Sequence, residues 1–390
     1  MTPTVGIPKE IKPQERRVGL TPKGVKVLHA SGCRVLVEEG AGFHSGYSDE
    51  DYLQAGAKIV LKASELWKHS DVIKKVKEPL GDEIKFLREG QIVFTFLHLA
   101  APESKDLVHA LIKSKAIGVS YETIDVLGYT PILKPMSLIA GSVCGYLTGV
   151  YHQMVKVKKD NIQYDSNVAN VINEYADRYP ELPQFYNPGK VVVMGGGQVG
   201  IKVAEIAQRM GGEVTIIEKN TKRGRYLSRY FDRQVKVLDK REEALKDLTQ
   251  TDTIVGAVYL RGARAPVLID SAELKDLSKS KKRLIFDVSA DQGGNIAGSE
   301  LTTWENPLRV DEYGNLRFGV CNIPSFCPKY ASEALEEVTL DYLLALTQGL
   351  VVAIYKYPEL VSGIATYQSN LCQKEVASAH GLSHTPLKLS

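Results

Sequence analysis

Short runs of apolar, β-branched residues alternate along this chain with longer stretches whose apolar positions recur every three or four residues. In the first third the short runs are Val5-Gly6-Ile7, Arg34 to Val37, Val72-Ile73, Ile92 to Phe96 and Ile117 to Ser120. Helical spacing fills Pro22 to Ala30 and Pro102 to Lys113 between them. Such alternation predicts strands of a parallel sheet joined by crossover helices. A second series comprises Lys190 to Met194, Val214 to Ile217, Val235 to Leu238, Thr253 to Val258 and Leu284 to Val288. The two series are separated by an apolar helical stretch, Pro135 to Tyr151, long enough to bridge two domains, and by the polar segment 155–188, which carries a possible short helix at Val168 to Tyr179. From Pro328 onward Ala334, Leu335, Val338, Leu340, Leu343 and Leu344 recur at helical spacing, and this segment is expected to pack back on the first domain.

The second series opens on a distinctive junction. The buried-strand pattern of Lys190 to Met194 runs into Gly195-Gly196-Gly197-Gln198-Val199-Gly200, a helix follows, and the next strand closes with Glu218. In a Rossmann-like unit each residue has a physical task. Gly195 permits the sharp turn, Gly197 lets the backbone approach a pyrophosphate, and Gly200 lets the helix pack against the strand. The helix N-terminus, with Gln198 and Val199 in its first turn, offers unpaired N–H groups to phosphate. Glu218, about twenty residues on, would accept hydrogen bonds from ribose hydroxyls. A carboxylate there repels a 2′-phosphate, so NAD is the expected cofactor, although Lys219, Lys222, Arg223 and Arg225 keep NADP in view. The alternative is a purely structural glycine turn.

Composition narrows the function classes. The net charge of +3 arises from 49 basic and 46 acidic residues spread along the chain, which favours neither a nucleic-acid nor a membrane partner. Five cysteines, without a CxxC pair, indicate neither a disulfide framework nor a zinc site, and no His/Cys/Asp/Glu cluster shows metal-ligand spacing. No apolar stretch is long enough to span a bilayer and the N-terminus lacks signal-peptide character, so a cytoplasmic location is expected.

Ligands of open α/β sheets bind beyond the C-terminal strand ends. In the first series those ends lead into Pro8-Lys9-Glu10 and Arg16-Arg17-Val18, Lys75-Val76-Lys77-Glu78-Pro79, and Leu97-His98-Leu99. In the second, Val258 and the segment Ser289-Ala290-Asp291-Gln292-Gly293-Gly294 follow strands in the half that would receive a nicotinamide. Each of these residues has a plainer explanation. Lys77 lies in a basic run, Arg17 beside another arginine, His98 in an apolar run that suits a core histidine, and Asp291 before two turn-forming glycines.

Together with Tyr121-Glu122-Thr123, Pro135-Met136-Ser137 and Gly262-Ala263-Arg264-Ala265-Pro266, these segments resemble, in order and over nearly the whole chain, the alanine dehydrogenase and pyridine-nucleotide transhydrogenase family. The resemblance implies two Rossmann-like, doubly wound parallel-sheet domains with an interdomain cleft, and a homo-oligomer. One is a discontinuous substrate domain, 1–135 plus 329–390. The other is an NAD-binding domain, 136–328, carrying the insertion 155–188. It implies Arg17 and Lys77 as substrate-carboxylate ligands with Met136 beside them, His98 as acid/base with Lys77, and Asp291 as the active-site aspartate. Ser137 would contact the cofactor, with Val258, Asn322 and Ile323 near the nicotinamide.

The implied activity is NAD-dependent oxidative deamination of an L-amino acid, with L-alanine the leading substrate and a 2-oxo acid as product. Leu138 after Met-Ser departs from the alanine enzymes, and Pro328 to Ala334, with Asp287 to Asp291, are similar to lysine-forming saccharopine dehydrogenases. They keep open an opine-type enzyme that couples a 2-oxo acid to an amino acid. A catalytically silent NAD-binding sensor or scaffold is the third reading.

Overall fold

The structure, a computed structural model, describes residues 2–154, 156–158, 161–163, 186–260 and 264–388. The helix expected at Val168 to Tyr179 lies outside the described residues. The chain divides into two compact units, the first formed by Met1–Met136 and Ser325–Ser390, the second by Ser137–Leu260 and Arg264–Pro324.

The first unit holds an eight-stranded sheet built from β1 (Thr4–Ile7), β2 (Arg34–Glu38), β3 (Lys58–Val60), β4 (Val72–Lys74), β5 (Ile92–Thr95) and β6 (Ile117–Ser120) with a C-terminal pair described below. β1, β4, β5 and β6 are buried at every position, as continuous apolar runs in a parallel sheet must be. Beneath one face Leu66, Trp67, Ile73, Val93, Leu107 and Leu111 form a continuous core. Full burial of a side chain such as Ile73 or Leu111 stabilises by roughly 1.5–3 kcal/mol. The helix Pro22–Ala30 starts where Thr21 accepts from the Lys23 amide, with Pro22 as its first residue, and Glu336 from the C-terminal helix Pro328–Leu346 accepts the Thr21 amide at 2.7 Å. Ser332 of that helix likewise accepts the Val18 amide. The C-terminal segment thus completes the first unit.

A hairpin of Lys156–Lys158 (β7) and Asn161–Gln163 (β8) precedes the second sheet. That sheet runs in the order β11-β10-β9-β12-β13-β15-β14, from β9 (Lys190–Met194), β10 (Glu213–Ile217), β11 (Lys236–Leu238), β12 (Thr253–Gly256), β13 (Leu284–Asp287), β14 (Leu308–Val310) and β15 (Leu316–Phe318). All pairings are parallel except that of β14 with β15. The long helix Leu133–Met154 enters this unit at Ser137. Its glycines recur every fourth residue and face the helix Gln198–Arg209. A Cβ on Gly141 would fall 2.5 Å from the Val199 carbonyl, and one on Gly145 2.8 Å from Ile206 Cβ. Small residues on one ridge therefore let two backbones approach closely.

Besides β7 and β8, which fall in the polar segment, the sequence pattern misses five strands. β3, β14 and β15 have three residues each, and β15 carries a buried arginine, Arg317, that breaks the apolar signal. The C-terminal segment is not helical throughout: Ile364–Tyr367 (β16) and Asn370–Leu371 (β17) form an antiparallel hairpin on the β6 edge. Its turn residues, Gln368 and Ser369, have φ of 45° and 64°, a left-handed pair in a turn without the usual glycine or asparagine. Among the described residues no helix is long and apolar enough to cross a membrane, and no cluster of His, Cys, Asp or Glu could hold a metal ion.

Candidate active site

Because β1, β4 and β5 are adjacent and parallel, the segments that follow them emerge at the same sheet edge. That edge gathers Arg17, Lys77 and His98 with three carboxylates that hold them. Arg17 is 3 % exposed, and its Nε and Nη2 donate to the two oxygens of Glu15 at 2.7 and 2.6 Å. Its remaining arm, Nη1, lies 3.1 Å from Met136 Sδ. The two-armed face of the guanidinium expected to grip a substrate is thus already committed to Glu15, and the Nη1 edge is what remains for a ligand. Burial raises the Glu15 carboxyl, but Arg17, Lys77 and the Ser325 hydroxyl outweigh it and hold that carboxyl below its ordinary range.

His98 stands in the left-handed region with φ of 46°, a conformation uncommon for residues other than glycine, and its backbone there is held in place. Glu122 holds it, accepting the His98 amide at 2.7 Å and the Leu97 amide at 3.3 Å. The ring stacks on Phe96, and Nδ1 lies 3.2 Å from Glu78 Oε2. A carboxylate on Nδ1 selects the tautomer whose Nε2 is free to accept a proton. Burial pushes the Glu78 carboxyl up, but His98, Lys77 and Lys12 together drive it far below the usual carboxylate value. The Lys77 ammonium acts on both Glu15 and Glu78, so it belongs to the same group of charges.

In the second unit the glycine turn has the form expected of a pyrophosphate cradle. Gly195 has φ of 107°, and a Cβ there would strike Val258 Cγ2 and the Ala257 carbonyl. One on Gly200 would fall 1.9 Å from the Gly195 carbonyl oxygen. Gly197 differs: a Cβ there meets nothing within 4 Å, and the residue is exposed at the start of the helix Gln198–Arg209 with no side chain capping that helix. Gln198 and Val199 are half-buried in its first turn. Glu218 folds toward the turn, accepting the Gly196 and Asn220 amides at 3.0 and 2.8 Å, while Arg223 donates to the Gly196 carbonyl.

Val258 is fixed by Asn295, which donates to its carbonyl and accepts its amide. Asn322 is 6 % exposed with φ of 56°, and neither its amide nitrogen nor its amide oxygen has a partner. A buried carboxamide of this kind calls for a polar ligand. Ile323 beside it is buried, and Ser137 is half-buried on the long helix. Asp291 is half-buried in the short helix Ala290–Gln292, and its carboxylate makes no hydrogen bond or ion pair among the described residues. Asp287, in contrast, is a structural acid that accepts the Asn295 and Ile296 amides.

Residues 6–140 match the sequence family described as alanine dehydrogenase/PNT, N-terminal domain, and residues 183–374 match its C-terminal domain. The alanine dehydrogenase of Methanococcus maripaludis is 36 % identical over 98 % of this chain and 98 % of its own. This chain belongs to the alanine dehydrogenase/PNT family. The alanine dehydrogenase of Staphylococcus haemolyticus is also 36 % identical, again over 98 % of both chains. A solved structure of an L-alanine dehydrogenase superposes with a TM-score of 0.80 at 31 % identity, over 97 % of this chain and 99 % of that one. The α/β architecture of two helix-flanked sheets is thus a family property. Glu15, Glu78, Glu122 and Asn295 are the site residues the sequence reading did not single out. Glu78 and Glu122 lay within segments quoted for the resemblance, but their pairing with His98 spans 20 and 24 residues and leaves no local signal.

Proposed function

We propose that this chain is an NAD-dependent amino-acid dehydrogenase that oxidatively deaminates L-alanine to pyruvate and ammonia, and runs the reverse reductive amination. The observation that carries this reading is the group of charges at the first sheet's edge. Two cations, Arg17 and Lys77, lie there beside a histidine whose Nδ1 is held by a carboxylate. The full-length likeness to alanine dehydrogenases selects the substrate.

The Nη1 edge of Arg17 and the Lys77 ammonium bind the substrate carboxylate. Met136, in contact with Arg17, bounds the side-chain space. His98 Nε2 takes a proton from water as that water adds to the imino carbon, gives it to the amino nitrogen so that ammonia departs, and takes the remaining carbinol O–H proton as the carbonyl forms. Glu78 holds the ring's other nitrogen and stabilises the imidazolium formed meanwhile. Asp291 orients the water or offsets positive charge on the imino nitrogen.

The residues of the second unit fit NAD. The helix N-terminus at Gly197 would hold the pyrophosphate, with Gln198 and Val199, Glu218 would hold the adenosine ribose, and Asn322, Ile323, Val258 and Ser137 would hold the nicotinamide end. When bound, NAD supplies the hydride acceptor and NADH the hydride donor.

The test is consumption of NADH with pyruvate and ammonium, compared with 2-oxoglutarate and lysine. Turnover with the first pair is expected. Turnover with the second pair alone would replace this reading by the opine-type one, and NADH binding without turnover on either pair would favour a silent sensor.

A further inference from the structure

The backbone of Lys77 is held on both sides by buried groups that the chemistry above does not use. Its N–H donates to Glu10 Oε2 at 3.3 Å, and the neighbouring Val76 N–H donates to Glu10 Oε1 at 2.7 Å. Its carbonyl accepts from the Thr95 hydroxyl at 2.9 Å. Glu10 comes from the loop after β1 and Thr95 from the end of β5, so the two strands that flank β4 clamp the residue that continues it. The Glu10 side chain is only 3 % exposed, and its counter-ion, Lys75, is shared. Lys75 Nζ lies 3.4 Å from Glu10 and 2.8 Å from Glu83, itself buried. Two enclosed carboxylates therefore divide one ammonium. Around them, Glu15 and Glu83 add negative charge near Glu10, Glu38 at the end of β2 faces the same Lys75 and is itself approached by Lys9, and Lys74 and Tyr121 lie within Glu10's field.

We infer that Glu10 is a positioning residue for Lys77, and that its ionised form holds the Lys77 ammonium where a substrate carboxylate can use it. The reason is geometric. An ionised Glu10 offers acceptors to both amides and to Lys75. A proton placed on Oε2 would point at donors, the Lys77 N–H and the Lys75 ammonium, and would release the Lys77 amide. Burial and the neighbouring carboxylates push the Glu10 carboxyl up to about 7 against the pull of Lys75 and the Val76 amide, so the release falls near neutral pH. The sign follows: the clamp is complete above that value and loosens as pH falls through it. The inference rests on the reading of Lys77 as a substrate ligand.

The experiment titrates pyruvate into the NADH-loaded protein across the neutral range, with NADH affinity measured in parallel as the check on folding. In the wild-type chain, pyruvate affinity is expected to weaken as pH falls through neutrality. Glu10→Gln should bind pyruvate roughly tenfold more weakly, the loss of about one charge-assisted hydrogen bond, and without that inflection. Glu83→Gln removes a carboxylate that repels Glu10 and competes with it for Lys75, so the inflection should move to lower pH. Thr95→Val, which removes the other half of the clamp, should weaken pyruvate and leave the inflection in place. If Lys77→Ala weakens pyruvate while the inflection is unchanged in both Glu10→Gln and Glu83→Gln, the positioning role is overturned. If Lys77→Ala leaves pyruvate affinity unchanged, the functional reading fails first and this inference with it.

Discussion

Gly197→Ala separates a cofactor cradle from a structural turn, because Gly197 would admit a Cβ without a clash whereas Gly195 and Gly200 would not. Gly197 has φ of −73° and ψ of −168°, a conformation alanine adopts freely, and its Cβ would meet nothing within 4 Å. Restricting the unfolded chain should add about 0.4–1 kcal/mol of stability. Alanine is a poorer helix N-cap than glycine, which removes a similar roughly 0.5–1 kcal/mol. The net change is within about 1 kcal/mol, so the melting temperature of the free protein should move by no more than about 2–4 °C. The added methyl stands where a pyrophosphate would approach the backbone, and NADH affinity should fall at least about tenfold, the equivalent of roughly 1.4 kcal/mol. Gly200→Ala should behave in the opposite sense. Its Cβ would lie 1.9 Å from the Gly195 carbonyl, and the displacement should destabilise the unit by about 1–3 kcal/mol or more. Thermal unfolding without ligand and NADH fluorescence titration measure both quantities. Unchanged NADH affinity in a well-folded Gly197→Ala protein would refute the cradle, whatever the turn does for the fold.

Three further outcomes follow from the first unit. Glu78→Gln removes the charge on His98 Nδ1, and because a hydrogen bond between charged groups contributes about 1.5–3 kcal/mol, kcat should fall about 10–100-fold with little change in NADH affinity, read by steady-state kinetics. Arg17→Lys cannot keep two bonds to Glu15 and one to a ligand, so KM for pyruvate should rise by about tenfold or more while the chain stays folded; an unchanged KM would remove Arg17 from the site. Lys74 is fully buried between Phe94 and Tyr121, with Thr339 as a hydrogen-bond partner, and burial holds its ammonium well below the ordinary lysine range. The unfolded chain therefore binds the extra proton, and this group's contribution to stability grows as pH rises toward the ordinary lysine value. Lys74→Met should flatten that slope and leave stability at neutral pH equal or higher, as melting temperatures across a pH series would show.

What could be read from the sequence was whatever local spacing encodes. The strand-turn-helix-strand order from Lys190 to Glu218 was legible because each step, from buried β-branched run to left-handed glycine to terminal acid, lies next to its neighbour in the chain. Lys77 and His98 were legible as polar residues at strand ends. Their partners were not. Glu10 reaches Val76 and Lys77 across 66 and 67 residues, Ser325 reaches Glu15 across 310, and nothing in the composition of either segment announces the pairing. The arginine shows the limit most clearly: its residue type suggests a bidentate grip on substrate, but the carboxylate two positions earlier takes that grip first. The edge strands β3 and β17 escaped because they are too short and too exposed to carry a periodic signal.

The central claim is that Lys77 and His98 perform chemistry on an amino acid while the glycine turn holds the coenzyme. Its most direct test is NADH formation from L-alanine and NAD by the Lys77→Ala and His98→Ala proteins, with NADH affinity measured on the same samples. The account predicts at least about a hundredfold loss of turnover in each variant with NADH affinity unchanged. Wild-type turnover in either variant would contradict it.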